Sequence, residues 1–275
     1  MKILLTGGTG YIGSAVLDRL IAAEHQVTAI VRSQKSSLQV TDAGATAVIG
    51  DLFDKAWLAS ELEQHDAAIH TAGGGEQDAE INDTVIDAVL EAFSGTAKPF
   101  IHTGGIWAYG NNASIHESHE LKPPAVAAWR AAGEQRLLES DIKASVIQPG
   151  IVYGHGRGIP AMLTPEDGTL TLFGSGEQRW VTVHVDDLAE LYVLALDNAP
   201  GGEAYVGASG HNPTVRELGE AVAENVTPES DEATVARLGG FGEALLLDQQ
   251  ASGEKARSLG WSPSRPSLVE ELRAG

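Results

Sequence analysis

The sequence predicts an α/β protein built on a doubly wound parallel sheet, with a small mixed lobe toward its C-terminal end. Three observations predict it. Short strands that are apolar throughout alternate with helical segments over residues 1–150, the pattern of a parallel sheet covered on both faces. A glycine-rich turn joins the first strand to the first helix. After Gly150 the alternation breaks, so residues 1–150 read as one domain and 151–275 as a smaller lobe that also lends elements to the sheet.

The elements follow in order. "KILLT" (2–6) is the first strand, and the helix after it sets Ile12, Val16 and Leu20 on one face. "QVTAIV" (26–31) and "ATAVIG" (45–50) are the next strands. "AAIHTA" (67–72) precedes a helix that runs to about Phe93. "FIHTG" (100–104) precedes the helix "AVAAWRAAGEQRLLE" (125–139), and "ASVIQPG" (144–150) follows it. In the lobe, "TLTLFG", "RWVTVHV" and "EAYVGA" read as strands, and 185–198 and 214–226 as helices. Polar or glycine-rich loops fall at 73–80, 110–124 and 154–169.

Composition narrows the partners. Lys and Arg total 18 against 38 Asp and Glu, a net charge of −20. Such a surface disfavours nucleic acid and anionic membranes, so an anionic ligand needs a local basic pocket. With no cysteine there is no disulfide, thiol nucleophile or cysteine metal site. "HESHE" (116–120) lacks a partner cluster, so no metal site is expected. There is neither a membrane-length apolar run nor a signal peptide, and the expected location is the cytoplasm.

"TGGTGYIG" (6–13) carries the chemistry. Gly8-x-Gly10-x-x-Gly13 follows a strand and opens a helix, the context of a dinucleotide fingerprint. The glycines admit pyrophosphate to the backbone, and the helix N-terminus offers N–H groups and partial positive charge. The second strand selects the dinucleotide. An NAD site usually ends that strand with an acid. Here it ends "AIVRSQKSS", with Val31 near the acid position and Arg32, Ser33 and Lys35 after it. Guanidinium and hydroxyl groups suit a 2′-phosphate, so NADP(H) is expected over NAD(H).

Together with "GDLFD" (50–54), "HTAG" (70–73), "QPGIVYG" (148–154), "VHVDDLAE" (183–190) and "KARSLGWSP" (255–263), the chain resembles the extended short-chain dehydrogenase/reductase family, the NAD(P)-dependent epimerase/dehydratase group with its Rossmann-like fold. The resemblance implies that Gly7, Gly10, Tyr11, Ile12 and Gly13 line the pyrophosphate. It sets Asp51 and Leu52 at the adenine, Ala72 and Gly73 along the middle of the cofactor, and Pro149, Gly150 and Ile151 beside the nicotinamide. Asp51 also fits a turn or cap.

The family's chemistry uses a Tyr-x-x-x-Lys pair on one helix and a Ser or Thr after the preceding strand. Aligned on neighbouring motifs, the tyrosine slot is Trp129, the lysine slot Gly133, and the serine slot falls near Gly105, with Thr103 two residues earlier. An arginine common in nucleotide-sugar enzymes is replaced by Trp180, beside Arg179. This resembles the family's atypical members. Tyr109, Tyr153 and Thr103 remain as candidate catalytic groups, with His116, His119, His155 and Arg157 in loops and His184 packed in the lobe. Trp107 and Trp129 read as pocket walls or as core. The reading is an NADP(H)-dependent oxidoreductase that reduces a small carbonyl, imine or activated alkene with a non-standard proton donor. Its rivals are a non-catalytic NADP(H) sensor and a nucleotide-sugar epimerase or dehydratase. The helix near Ala125 offers a homodimer face or, equally, a core face.

Overall fold

In the computed structural model, which describes residues 1–75 and 77–275, the N-terminal part alternates regularly. It runs β1 (Lys2–Thr6), α1 (Tyr11–Ala22), β2 (Gln26–Val31), α2 (Gln34–Asp42), β3 (Thr46–Ile49), α3 (Lys55–Glu63), β4 (Ala67–His70), α4 (Asp78–Phe93) and β5 (Pro99–Thr103). A short strand β6 (Asn112–Ile115), helix α5 (Trp129–Leu138) and β7 (Lys143–Pro149) follow. The remainder holds β8 (Ile151–Gly154), β9 (Arg157–Gly158), β10 (Thr169–Thr171), β11 (Thr182–His184), α6 (Val185–Asn198), β12 (Glu203–Gly207), α7 (Val215–Val222) and β13 (Asn225–Thr227). It closes with α8 (Asp231–Leu238), α9 (Gly240–Leu245), β14 (Gln249–Ala251), α10 (Glu254–Arg257) and α11 (Leu268–Ala274).

The central sheet has seven strands in the order β12-β7-β5-β4-β1-β2-β3, paired in parallel throughout. Chain order reverses beside β1, so a crevice opens at the C-terminal ends of β1 and β4, where ligands of open α/β sheets bind. One face of the sheet is covered by α1 and α6, through Val16, Leu17, Leu20, Leu188, Leu191 and Leu196. The other is covered by α3, α4 and α5, through Leu58, Leu62, Val85, Val89, Phe93 and Leu137. A separate apolar cluster around Leu172, Phe173, Trp180, Leu218 and Leu245 fills the space above the strand ends.

Three expectations change. Helix α5 begins at Trp129 rather than at 125. Residues 125–128 form single turns instead, with Ala127 N–H on Pro124 O at 2.9 Å and Ala128 N–H on Ala125 O at 3.4 Å. The segment expected as one helix over 214–226 splits. α7 ends at Val222, and the β-branched pair Val226–Thr227 joins β10 as β13. The loops expected at 110–124 and 154–169 also contain ladder residues, because β6 pairs with β14 and β9 folds back on β8.

Asp187, in the first turn of α6, ties the C-terminal segment to the sheet. It is 4% exposed. Its two carboxylate oxygens accept the backbone N–H groups of Ser264 at 3.1 Å and Arg265 at 3.0 Å. Its own carbonyl accepts the Trp261 indole N–H at 2.6 Å. Asp187→Ala removes both side-chain acceptors and leaves the Ser264 and Arg265 N–H groups to water, a loss of about 2 kcal/mol. Urea unfolding is expected to show that loss, with Asp187→Asn losing about half; an unchanged midpoint for Asp187→Ala would refute the tie.

Candidate active site

The turn between β1 and α1 is made by close contacts that only glycine permits. Gly7 has φ +78°, and a Cβ on it would sit 2.5 Å from Ala72 N. A Cβ on Gly13 would lie 2.1 Å from the Gly7 carbonyl oxygen. Gly10 donates its N–H to that same oxygen at 2.8 Å and begins α1 without a side-chain cap. The first N–H groups of α1, including those of Tyr11, Ile12 and Gly13, therefore have no intrahelical partner. A bare cradle of this kind, with free N–H groups and a helix N-terminus, fits a dinucleotide pyrophosphate. Tyr11 swings away, its hydroxyl donating to Gly154 O at 2.8 Å beneath the Arg157 guanidinium.

At the end of β2, Val31 is buried while Arg32, Ser33 and Lys35 are exposed. Ser33 caps α2 by accepting Ser36 N–H at 3.2 Å. The guanidinium, the ammonium and an N-terminal turn thus face water together, and no acid stands at the strand end. Asp51 accepts Phe53 N–H at 3.0 Å, closing a turn, and Leu52 packs under α3. Ala72 and Gly73 follow β4, with Ala72 N facing Gly7. Glu76, within the expected 73–80 loop, lies outside the described residues. Pro149 ends β7, and Ile151 turns into the apolar cluster above.

The three candidate donors are all engaged. The Thr103 hydroxyl donates to His70 O at 2.6 Å, so Tyr192, 2.7 Å away, donates to it. Tyr109 donates to Gln148 Oε1 at 2.6 Å, and burial, with Glu117 and Glu134 nearby, raises its pKa. Tyr153 donates to Pro266 O at 2.7 Å beside His184, away from the sheet, and burial likewise raises its pKa.

The structure also corrects the helix register inferred for the missing pair. Gly133 faces α4, where a Cβ would meet Ile86 Cδ1 at 2.7 Å. The face of α5 turned toward the strand ends carries Arg130 and Glu134, one helical turn apart. The Arg130 guanidinium lies 4.2 Å over the Trp129 ring and reaches Thr103 O at 3.5 Å. Glu134 is 1% exposed. Its Oε2 accepts the Gln148 amide at 2.8 Å, while Oε1 has no partner among the described residues. Burial raises this carboxyl to about 7, with Gln148 and Arg130 opposing the rise. A side chain at 104 would overlap Glu134 Oε1, which explains Gly104.

Below them, His70 and His102 stack at 5.5 Å. Burial keeps both neutral, His70 falling to about 4. These residues were missed as site groups from sequence alone. The available signal was the Arg-x-x-x-Glu spacing inside an alanine-rich helix.

The other candidates lie elsewhere. His116 and His119 face each other at 5.4 Å in an exposed turn. Trp107 packs edge-on against Phe241. Trp180 is core, with its indole on Leu245 O at 3.0 Å, and Arg179 sits beside Asp248. His155 and Arg157 line a hollow of about 610 Å³ with Tyr11, Arg19, Asp186 and Arg265. There His155, His184 and Asp186 bring ligand-type atoms within 4.8 Å of one another. Each is already engaged by protein. His155 meets Asp186 Oδ1 at 2.9 Å, Arg265 holds Asp186 Oδ2 at 2.9 Å, and His184 Nδ1 caps α6.

Comparisons with known proteins show the family and the fold. A profile of the NAD dependent epimerase/dehydratase family matches residues 3–207. An uncharacterized protein of Schizosaccharomyces pombe is 28% identical over 292 residues, covering 99% of this chain and 98% of that protein. The 2-alkyl-3-oxoalkanoate reductase of Stenotrophomonas maltophilia is 30% identical over 286 residues, covering 92% of this chain and 86% of that enzyme. Among solved structures, the UDP-glucose 4-epimerase of Thermus thermophilus in complex with NAD superposes with a TM-score of 0.78 at 21% identity, over the whole of both chains. At that identity the likeness is one of fold.

Glu134 yields a pH test. Its folded pKa of about 7 lies above the unfolded value of roughly 4.3. The folded state therefore binds the extra proton, and the contribution is full below the unfolded pKa and lost as pH rises through 7. Wild type should lose a few kcal/mol of stability between pH 5 and pH 8 relative to Glu134→Gln, measured by urea unfolding at each pH. Parallel pH profiles for the two proteins would show that this carboxyl is ionised in the fold.

Proposed function

The chain belongs to the NAD dependent epimerase/dehydratase family, within the extended short-chain dehydrogenase/reductases, and on that premise we propose that it is an NADP(H)-dependent oxidoreductase that reduces a small carbonyl, imine or activated alkene. The observation that carries this reading is the pairing of a glycine cradle with an acid-free, cationic end of β2. A bound reduced nicotinamide supplies the hydride. The residues do the rest. Gly7, Gly10 and Gly13 admit the pyrophosphate to the helix N-terminus. Arg32, Ser33 and Lys35 surround the position of a 2′-phosphate, where a carboxylate would repel it. Ala72, Gly73 and Pro149 border the path between the strand ends.

The reductase reading is favoured over an epimerase reading by the small lobe. The position where sugar-nucleotide enzymes carry an arginine is buried Trp180 in the apolar cluster. The chain also resembles an oxoalkanoate reductase over most of both lengths. A non-catalytic sensor is disfavoured by the buried, incompletely bonded Glu134 beside Arg130. Groups held this way are costly to bury unless they meet a ligand.

Two measurements test the proposal. NADPH should bind at least tenfold more tightly than NADH by fluorescence titration, and Arg32→Ala should weaken NADPH by 10- to 100-fold, the worth of a charge-assisted bond, while leaving NADH unchanged. Equal affinities would overturn the cofactor preference. Gly13→Ala, whose methyl would overlap the Gly7 carbonyl, should abolish binding of both dinucleotides. NADPH oxidation across a panel of ketones, aldehydes, imines and enones then tests the activity itself; no oxidation with any member would remove the reductase reading.

A further inference from the structure

We propose that Arg130 is the oxyanion-binding residue of the cleft, and that the substrate is accordingly a carbonyl compound whose oxygen comes to rest on its guanidinium. This deepens the reductase reading and rests on it. Arg130 projects from the first turn of α5 to the C-terminal ends of β4 and β5. Thr103 O accepts a long bond from it. Its charge is felt by His70 and His102 beneath and by Tyr192 beside it. It is half-buried, and the partial loss of water lowers its pKa. Yet among the described residues no carboxylate oxygen comes within 4.0 Å of it.

The two nearest acids are otherwise occupied. Both Asp78 oxygens accept backbone N–H groups, those of Gly74 at 2.7 Å and Gly75 at 2.9 Å. Glu134 leans on Gln148, and burial raises its carboxyl to about 7, so its charge is only partly present near neutral pH. A guanidinium that is desolvated and not ion-paired is unfavourable on its own. An oxygen that gains negative charge relieves it. The site is preorganised for that charge because Trp129 supports one face of the guanidinium.

The chemistry balances without a titrating side chain. A bound reduced dinucleotide would supply a hydride, with its electron pair, for the new C–H bond at the carbonyl carbon. The π pair of the C=O bond moves onto oxygen, which becomes an alkoxide held by Arg130. A water molecule protonates that oxygen and leaves as hydroxide, and the dinucleotide departs oxidised. Arginine stays charged at any working pH, so it stabilises the oxygen without surrendering its own proton. The same fixed charge repels a protonated iminium carbon, which narrows the substrate class from carbonyl or imine to carbonyl.

Trp129 is a built-in reporter. Sodium formate, a small oxyanion, is titrated into the NADP⁺-loaded chain at constant ionic strength while tryptophan fluorescence is read. We expect a saturable change in wild type that is absent in Trp129→Phe and in Arg130→Met, with NADPH affinity and thermal midpoint of Arg130→Met close to wild type. With ketone or aldehyde substrates, Arg130→Met should lose about 100-fold in kcat. Arg130→Ala should recover part of that loss in added guanidinium chloride, which a merely structural role would not allow. No saturable formate signal in wild type, or an unchanged kcat in a folded Arg130→Met, overturns the proposal. Formate binding that depends on Arg130, in a chain that oxidises NADPH with no carbonyl, would keep the oxyanion site and remove the reductase reading instead.

Discussion

The structure depends on one close approach. The Gly7 carbonyl fills the space where a side chain on Gly13 would be, and the backbone at Thr71 and Ala72 presses against Gly7 from the other side. Any side chain at either glycine would separate α1 from β1 and β4. With both bare, α1 starts hard against the sheet, and its N–H groups open onto the crevice at the strand-order reversal. The glycine cradle and the packing of α1 and α6 on the sheet are therefore one arrangement. Such a site is formed before ligand arrives, which limits the ordering that binding must impose.

A second layer of polar groups lies beneath the crevice. Thr6, His70, His102, Thr103, Tyr192, Glu134 and Gln148 are buried or nearly so, and most are joined by hydrogen bonds. Burial sets their protonation more than neighbouring charges do. The imidazoles lose their charge and the Glu134 carboxyl holds its proton up to about pH 7. The Arg130 charge thus stands over a layer whose imidazoles are neutral and whose one carboxyl is only partly ionised near pH 7. In low-dielectric surroundings a lone fixed charge acts strongly on whatever enters. This gives the cleft an electrostatic character that the overall charge of −20 does not suggest.

Much of the fold was legible in the sequence because its signals are local. Continuous apolar strands, the TGGTGYIG turn and the 185–198 helix each declare themselves within a dozen residues. The β6–β14 pair did not, since its partners are some 140 residues apart and neither strand has a strong pattern. The glycine turn was legible for the same reason as the strands, since Gly7, Gly10 and Gly13 lie within one short stretch of sequence. The face of α5 turned to the strand ends was not. Aligning on neighbouring motifs settled which helix mattered but not which of its faces turned inward, and a shift of one residue moves a side chain by about 100° around a helix. Gly133 against Ile86 fixes that rotation, and it brings Arg130 and Glu134 to the strand ends. Tyr109 and Tyr153 were attractive by residue type and by their place after the fifth and sixth strands; their hydroxyls are committed to Gln148 and to Pro266 O.

The central claim is that the reacting end of the cofactor meets α5 through Arg130. A crystal structure of the chain with NADP⁺ and formate bound tests it most directly. The account predicts the pyrophosphate on the N-terminus of α1, the nicotinamide ring over the ends of β4 and β5, and formate bridging the ring and the Arg130 guanidinium. A nicotinamide placed at those strand ends, with Arg130 turned away into an ion pair and formate absent from it, would contradict the account.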